Sequence, residues 1–230
     1  MPRGGHRTPD VQTHRNDDFF SGEIACDQQF FERNAREAGY TRIAGLDEAG
    51  RGPLAGPVVA AAVVLPDGLL IPGVTDSKQV SEKNRDRLFD IIREHAICYG
   101  IGVADERTID DVNIYQATIV AMERSLEALH PQPDYLLLDA MILPGVPIPQ
   151  KSLIKGDCRS HSIAAASILA KVIRDRMMLE LHDQYPQYNF RKHKGYGTRE
   201  HLEALHKHGP CDAHRKTFKP VAWMLDRNRQ

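Results

Sequence analysis

Apolar residues in this chain fall into two kinds of run: short uninterrupted blocks, and longer stretches in which they recur every three or four positions. The blocks predict strands at Arg42–Asp47, Val58–Leu65, Ile97–Val103 and Tyr135–Asp139, with a further one around Ser152–Lys155. The unbroken apolar character of Val58–Leu65 implies burial on both faces of a sheet. The periodic stretches predict helices. A short one carries Phe30, Phe31 and Ala35 and ends before Gly39; a second, capped by Ser81, runs to about Glu94. A third, from Thr108 or Asp110 to His130, turns Val112, Ala117, Val120, Ala121 and Leu129 inward. The longest extends from about Ser160 to Gln184, and its Ala164-Ala165-Ala166 step permits close approach to a sheet. A last helix, capped by Thr198, covers Glu200–His208 beyond the loop Arg191–Gly197. Three early strands followed by alternating helices and strands indicate an α/β domain with a mixed sheet.

Residues 1–20 are polar and aperiodic, and are expected to be a disordered extension. A single domain over 21–220 and a tail at 221–230 complete the expected organisation. The 230 residues, 41% hydrophobic, are enough for one full core. A signal-peptide core is not evident at the start, and no apolar stretch nears the roughly 20 residues needed to span a bilayer. The four cysteines, Cys26, Cys98, Cys158 and Cys211, are scattered without a C-x-x-C pair, which fits free thiols in a reducing cytoplasm. The formal net charge of -1 gives no global field. Locally, Tyr185–Lys219 holds 8 Lys or Arg against 3 Asp or Glu, which is either a phosphate-facing stretch or a solvated basic one. Its five histidines (His193, His201, His206, His208 and His214) are read as solvated surface in preference to a metal site.

The candidate chemistry sits where apolar blocks break into turns. Asp47 and Glu48 end the first block, Asp139 ends another, and Asp157 follows Ile154-Lys155-Gly156. Any one of them has a plain alternative: a polar strand exit, a turn, a helix cap. Three acid-bearing strand exits in one α/β pattern favour a common site, because ligands gather at strand ends in such folds. Carboxylates at ~4 Å repel by roughly 4 kcal/mol at an effective dielectric near 20, so such a cluster calls for cations or for raised proton affinity. Magnesium or manganese, which take oxygen ligands, suit it. Beside the acids, Gly50-Arg51-Gly52 forms a turn where backbone groups can approach a substrate and Arg51 can meet a phosphate. It lacks the nucleotide-binding P-loop pattern. Lys171 and Arg174 are open between phosphate contact and an exposed helix face.

With these segments set out, the chain resembles the ribonuclease HII family. The resemblance rests on Ala44-Gly-Leu-Asp-Glu-Ala-Gly-Arg-Gly-Pro-Leu-Ala-Gly-Pro57, Asp76-Ser77-Lys78, Asp134-Tyr-Leu-Leu-Leu-Asp-Ala140, Lys155-Gly-Asp157, Ser162-Ile-Ala-Ala-Ala-Ser-Ile-Leu-Ala-Lys171 and His193-Lys-Gly-Tyr-Gly-Thr198. It covers roughly Tyr40 to Lys219. It implies a ribonuclease H-like fold, a five-stranded mixed sheet flanked by helices with a C-terminal helical portion. The implied activity is endonucleolytic cleavage of RNA in RNA–DNA hybrids, and nicking 5′ to single ribonucleotides in duplex DNA, with two Mg2+ or Mn2+ ions and 5′-phosphate and 3′-hydroxyl products. By the same resemblance, Asp47, Glu48, Asp139 and Asp157 are the metal-binding acids. Gly50, Arg51 and Gly52 contact the ribose 2′-hydroxyl, Tyr196 selects the RNA–DNA junction, and Ser77 and Lys78 lie near the nucleic-acid backbone. Arg51 between its glycines sets the chain apart from ribonuclease HIII, and the linear Asp-Glu-Ala-Gly-Arg-Gly stretch from ribonuclease HI. A cytoplasmic monomer is expected. A non-catalytic nucleic-acid-binding module is the competing class, disfavoured by the complete set of acids.

Overall fold

A computed structural model describes residues 27–227; the expected disordered extension lies outside these. A five-stranded sheet forms the centre, built from β1 (Ile43–Ala49), β2 (Val58–Val64), β3 (Cys98–Ala104), β4 (Tyr135–Asp139) and β5 (Gln150–Leu153). Their order is β3-β2-β1-β4-β5, antiparallel on the β1-β2-β3 side and parallel through β1-β4-β5. Around it lie α1 (Phe30–Glu37), α2 (Glu82–His95), α3 (Glu106–Glu127), the single turn α4 (Gly156–Arg159) and α5 (His161–Gln184). A 3-10 turn at Pro186–Tyr188 leads to α6 (Phe190–His193), α7 (Arg199–His208) and α8 (Lys219–Arg227). None of the described helices is long and apolar enough to cross a membrane.

Two cores follow from the period-2 alternation of the strands. Ala44 and Leu46 of β1, with Val58, Ala60, Ala62 and Val64 of β2, face α3. Ala61 and Val63 face α2 and α5. Every residue of β2 is buried, as its unbroken apolar run implies. Leu54, Met178, Tyr188, Phe190, Leu205 and Val221 form a third cluster beneath the C-terminal helices. Within the stretch set apart as a tail, α8 therefore packs through Val221.

One contact aligns the functional elements. A Cβ at Gly45 would lie 2.1 Å from the carbonyl carbon of Ser162, so only glycine lets the start of α5 rest on β1. Two residues along the strand and five along the helix advance both chains by roughly 7 Å. Ser167 thus comes to stand over Asp47.

Several boundaries differ from expectation. β1 runs on to Ala49, so Asp47 and Glu48 are strand residues paired with Ala61 and Ala60. α3 begins at Glu106 because Asp105 caps it, accepting from the Thr108 amide at 2.8 Å and the Thr108 hydroxyl at 2.7 Å. Asn113 breaks its backbone (φ 69°) and caps the longer part by accepting from Tyr115 N and Gln116 N, which leaves Val112 exposed. β5 ends at Leu153, two residues earlier than expected: Ile154 is 76% exposed and Lys155 turns left-handed (φ 56°) to start α4.

Candidate active site

Because β1 and β4 are parallel neighbours, their ends emerge side by side, and α4 brings Asp157 to the same place. Asp47, Asp139 and Asp157 each offer a carboxylate oxygen, and these three lie within 4.8 Å of one another. Asp139 Oδ1 accepts from the Gly156 amide at 2.7 Å, which ties the start of α4 to the end of β4. Glu48 stands apart from this triad, since adjacent strand residues project to opposite faces. One of its oxygens faces Arg51 Nη1 at 3.5 Å; the other, Oε2, is buried without a hydrogen-bond partner among the described residues.

The proton affinities record the crowding. Burial, then the charges of Glu48 and Asp139, hold the Asp47 carboxyl well above the usual carboxylate range. Burial also raises Glu48, with Arg51 opposing and Asp139 adding. Asp157 is raised by burial, then by Asp139 and Asp76. Lys78 answers from the rim: burial pulls its ammonium down, but Asp76, Asp157, Asp47 and Asp139 together push it up. Oxygen-only donors, an orphaned buried carboxylate oxygen and raised proton affinities fit a divalent cation such as magnesium or manganese.

A cleft of about 220 Å³ opens beside the acids. Asp47, Glu48, the turn Gly50-Arg51-Gly52, Ser77, Lys78 and Tyr196 all line it. Gly50 sits at φ 100°, a conformation that side chains disfavour, and a Cβ there would strike Arg174 Nε at 2.0 Å. A Cβ at Gly52 would lie 3.6 Å from the Tyr196 ring, so turn and tyrosine face one another. Tyr196 is 46% exposed and available to a ligand. Ser77, by contrast, is buried: its Oγ accepts from Ser167 at 2.8 Å, and Ser167 itself lies beside Asp47.

The sequence profile of the family described as Ribonuclease HII matches residues 44–223, which include every one of these groups. The chain belongs to the ribonuclease HII family. A ribonuclease HII of Bacillus pumilus (strain SAFR-032) is 58% identical over 191 residues, covering 83% of this chain and 75% of that protein. One from Caldanaerobacter subterraneus subsp. tengcongensis is 54% identical over 192 residues, covering 84% and 80%. Among solved structures, ribonuclease H2 from Pyrococcus horikoshii OT3 superposes with a TM-score of 0.71 at 25% identity, over 83% of this chain and 100% of that one. The fold is that of ribonuclease H. As a member of that family the chain is a metal-dependent endonuclease, a phosphodiester hydrolase of the class acting on RNA–DNA hybrids.

Sequence reasoning missed Ser167 and Arg215, and left Lys171 and Arg174 open. A polar Ser167 on the buried face of an alanine-rich helix was the available signal for the first. Lys171 donates to Asp175 at 2.6 Å, and Arg174 is 1% exposed, so neither forms a solvated helix face. The surface reading of the histidines is corrected for three of the five. His193, His201 and His214 are buried beneath the Tyr196 loop, while His206 and His208 are exposed. His201 Nδ1 donates to the Tyr196 carbonyl at 2.9 Å, and its Nε2 lies 3.0 Å from Nε2 of His214. The Cys211 amide donates to His214 Nδ1 at 3.0 Å. Burial disfavours the charged form of each of these three rings.

A pH dependence follows. Burial pushes His161, His201 and His214 down to about 4, from an ordinary value of 6.5. Below 6.5 the unfolded chain takes up protons that the folded one refuses. Stability is therefore full above pH 6.5 and falls as pH drops toward 4, at up to about 1.4 kcal/mol per pH unit for each histidine. The raised carboxyls of Asp47, Glu48 and Asp157 offset part of this loss; thermal melts in chelator at pH 7.5, 5.5 and 4.5 should still show a net descent, and a flat profile would contradict the neutral network.

Proposed function

We propose that this protein nicks duplex DNA on the 5′ side of single embedded ribonucleotides, in addition to cutting RNA strands of RNA–DNA hybrids. The observation that carries this reading is the placement of two sugar-sized recognition elements, the Gly50–Gly52 turn and the Tyr196 ring, on facing walls of one cleft beside the acids. A 2′-hydroxyl both donates and accepts, and backbone groups can meet it whatever the base. A tyrosine ring packs on a neighbouring deoxyribose and crowds a ribose there. Selection by sugar without selection by sequence needs no more than this.

Asp47, Asp139 and Asp157 would hold divalent ions, with Glu48 supplying its unpartnered oxygen. Two ions held there would supply activation of a water and stabilisation of the departing 3′-oxygen, giving 5′-phosphate and 3′-hydroxyl ends. The chain's own residues orient the phosphodiester. Lys78 and Arg51, already drawn toward the carboxylates, are placed to meet its non-bridging oxygens. Ser167, which donates to Ser77, stands behind Asp47.

The test is incubation of duplex DNA carrying one ribonucleotide with magnesium, manganese or chelator. A single nick 5′ to the ribonucleotide, in either metal and absent in chelator, is expected. Intact duplex in both metals, alongside cleavage of a continuous hybrid, would restrict the activity to hybrids.

A further inference from the structure

Behind the Gly50–Gly52 turn lie two arginines, Arg174 of α5 and Arg215 of the segment before α8, both almost completely buried. Neither forms an ion pair among the described residues. A buried guanidinium with no carboxylate is costly, and the hydrogen bonds these two make all end on backbone carbonyls. Arg215 donates through Nη2 to Gly50 O at 2.6 Å and through Nη1 to Arg51 O at 2.9 Å. It also reaches Gly56 O, from Nε at 3.0 Å and from Nη2 at 2.8 Å. Arg174 donates through Nε to Pro57 O at 3.0 Å, and through Nη2 to Ala55 O at 3.2 Å and Lys194 O at 3.1 Å.

We propose that Arg215 is a positioning residue for substrate recognition, aiming the amides of Arg51 and Gly52 into the cleft, while Arg174 locks the turn to the Tyr196 loop. This rests on the reading of that turn and Tyr196 as the sugar-recognition elements.

The geometry is dictated by peptide planarity. In a trans peptide the C=O and the following N–H point in opposite directions. Arg215 holds the carbonyls of Gly50 and Arg51 inward, so the N–H groups of Arg51 and Gly52 are turned away from the core. Among the described residues neither N–H has an acceptor within the protein. Two oriented, unsatisfied donors above two unpaired buried cations make a site for an oxygen that carries negative charge or a lone pair: a phosphodiester or ribose oxygen. Arg174 adds the second wall. It bridges the carbonyls at 55 and 57 to the one at 194, and the Leu54 amide donates to Gly195 O at 2.8 Å alongside. Turn and tyrosine loop then move as one body. Lysine cannot replace this arrangement, because its single ammonium lacks the planar fork that reaches three carbonyls at once.

Full-length Arg215→Lys and Tyr196→Ala proteins would be assayed for KM and kcat on duplex DNA with one ribonucleotide, and for binding to the same duplex in chelator. For Arg215→Lys, KM and the dissociation constant should each rise about tenfold or more, while kcat stays within about threefold because the acids are untouched. A general loss of structure would instead lower kcat and the melting temperature together. Unchanged KM in folded Arg215→Lys, with KM raised in Tyr196→Ala, would overturn the inference and leave the recognition reading intact. Unchanged KM in both would remove the reading itself. A second measurement avoids the variant altogether: in 15N-labelled wild-type protein in chelator, the Arg51 and Gly52 amide signals should move downfield when the ribonucleotide duplex is added. Signals that do not move would also overturn the proposal.

Discussion

Asp139→Asn should abolish cleavage and at the same time make the metal-free protein more stable. Asparagine keeps an oxygen for the Gly156 amide, so the 2.7 Å bond that ties α4 to β4 survives and Asp157 stays in place. What disappears is one negative charge in a cluster spanning less than 4.8 Å. That charge contributes to the raised proton affinities of Asp47, Glu48 and Asp157, so its removal relieves all three. At an effective dielectric near 20, relief of about 1–3 kcal/mol is expected, the raised proton affinity of Asp47 already easing part of the repulsion. For a chain of this size that corresponds to roughly 2–12 °C in melting temperature. Activity moves the other way. Loss of a ligand to the ions should cut turnover by about three orders of magnitude, some 4 kcal/mol of barrier. Binding of the hybrid in chelator should change little. Steady-state assays and melts with and without magnesium check both halves: the wild type gains stability from the metal, and the variant gains less. Cleavage near the wild-type rate would remove Asp139 from the catalytic site.

Gly50→Ala should be nearly as damaging although it removes no functional group. The residue stands at φ 100°, and the added carbon would lie 2.0 Å from Arg174 Nε and 2.7 Å from Pro57 O. The guanidinium or the turn must move, and either shift disturbs the bond from Arg174 to the Pro57 carbonyl. Backbone strain and overpacking together cost about 1–3 kcal/mol of stability. The larger effect is on reaction geometry, where a displacement of ~1 Å lowers kcat/KM by about 100-fold. Urea titration and kinetics on the hybrid test this pair of outcomes. A variant with wild-type kinetics would show that the turn tolerates movement and does not orient substrate.

Much of this architecture was legible in the sequence because its physics is local. The apolar block of β2 announces burial on both faces, and Ser81, Ser160 and Thr198 mark helix starts through short-range capping; each accepts from the amide three residues on. Three acids where apolar runs break into turns favoured a common site without showing it, and the fold brings Asp47, Asp139 and Asp157 together. Glu48 falling outside the triad was not legible, because its direction depends on β1 continuing to Ala49. Arg215 and the inner histidines were illegible for a different reason. Their partners are carbonyls and rings up to 165 residues away in the chain, and a charged residue in a basic stretch looks solvated until the fold encloses it. Asn113 shows the same limit on a smaller scale: a left-handed backbone inside an otherwise periodic stretch leaves no mark on hydrophobic spacing.

The parallel pairing of β1 with β4 has a consequence for how such an enzyme can vary. Parallel neighbours must be joined by a crossover, and here the crossover carries two whole strands and two long helices. Asp47 and Asp139 are held by the ladder between their own strands, so that excursion can lengthen, shorten or acquire new loops at its far side without displacing either aspartate.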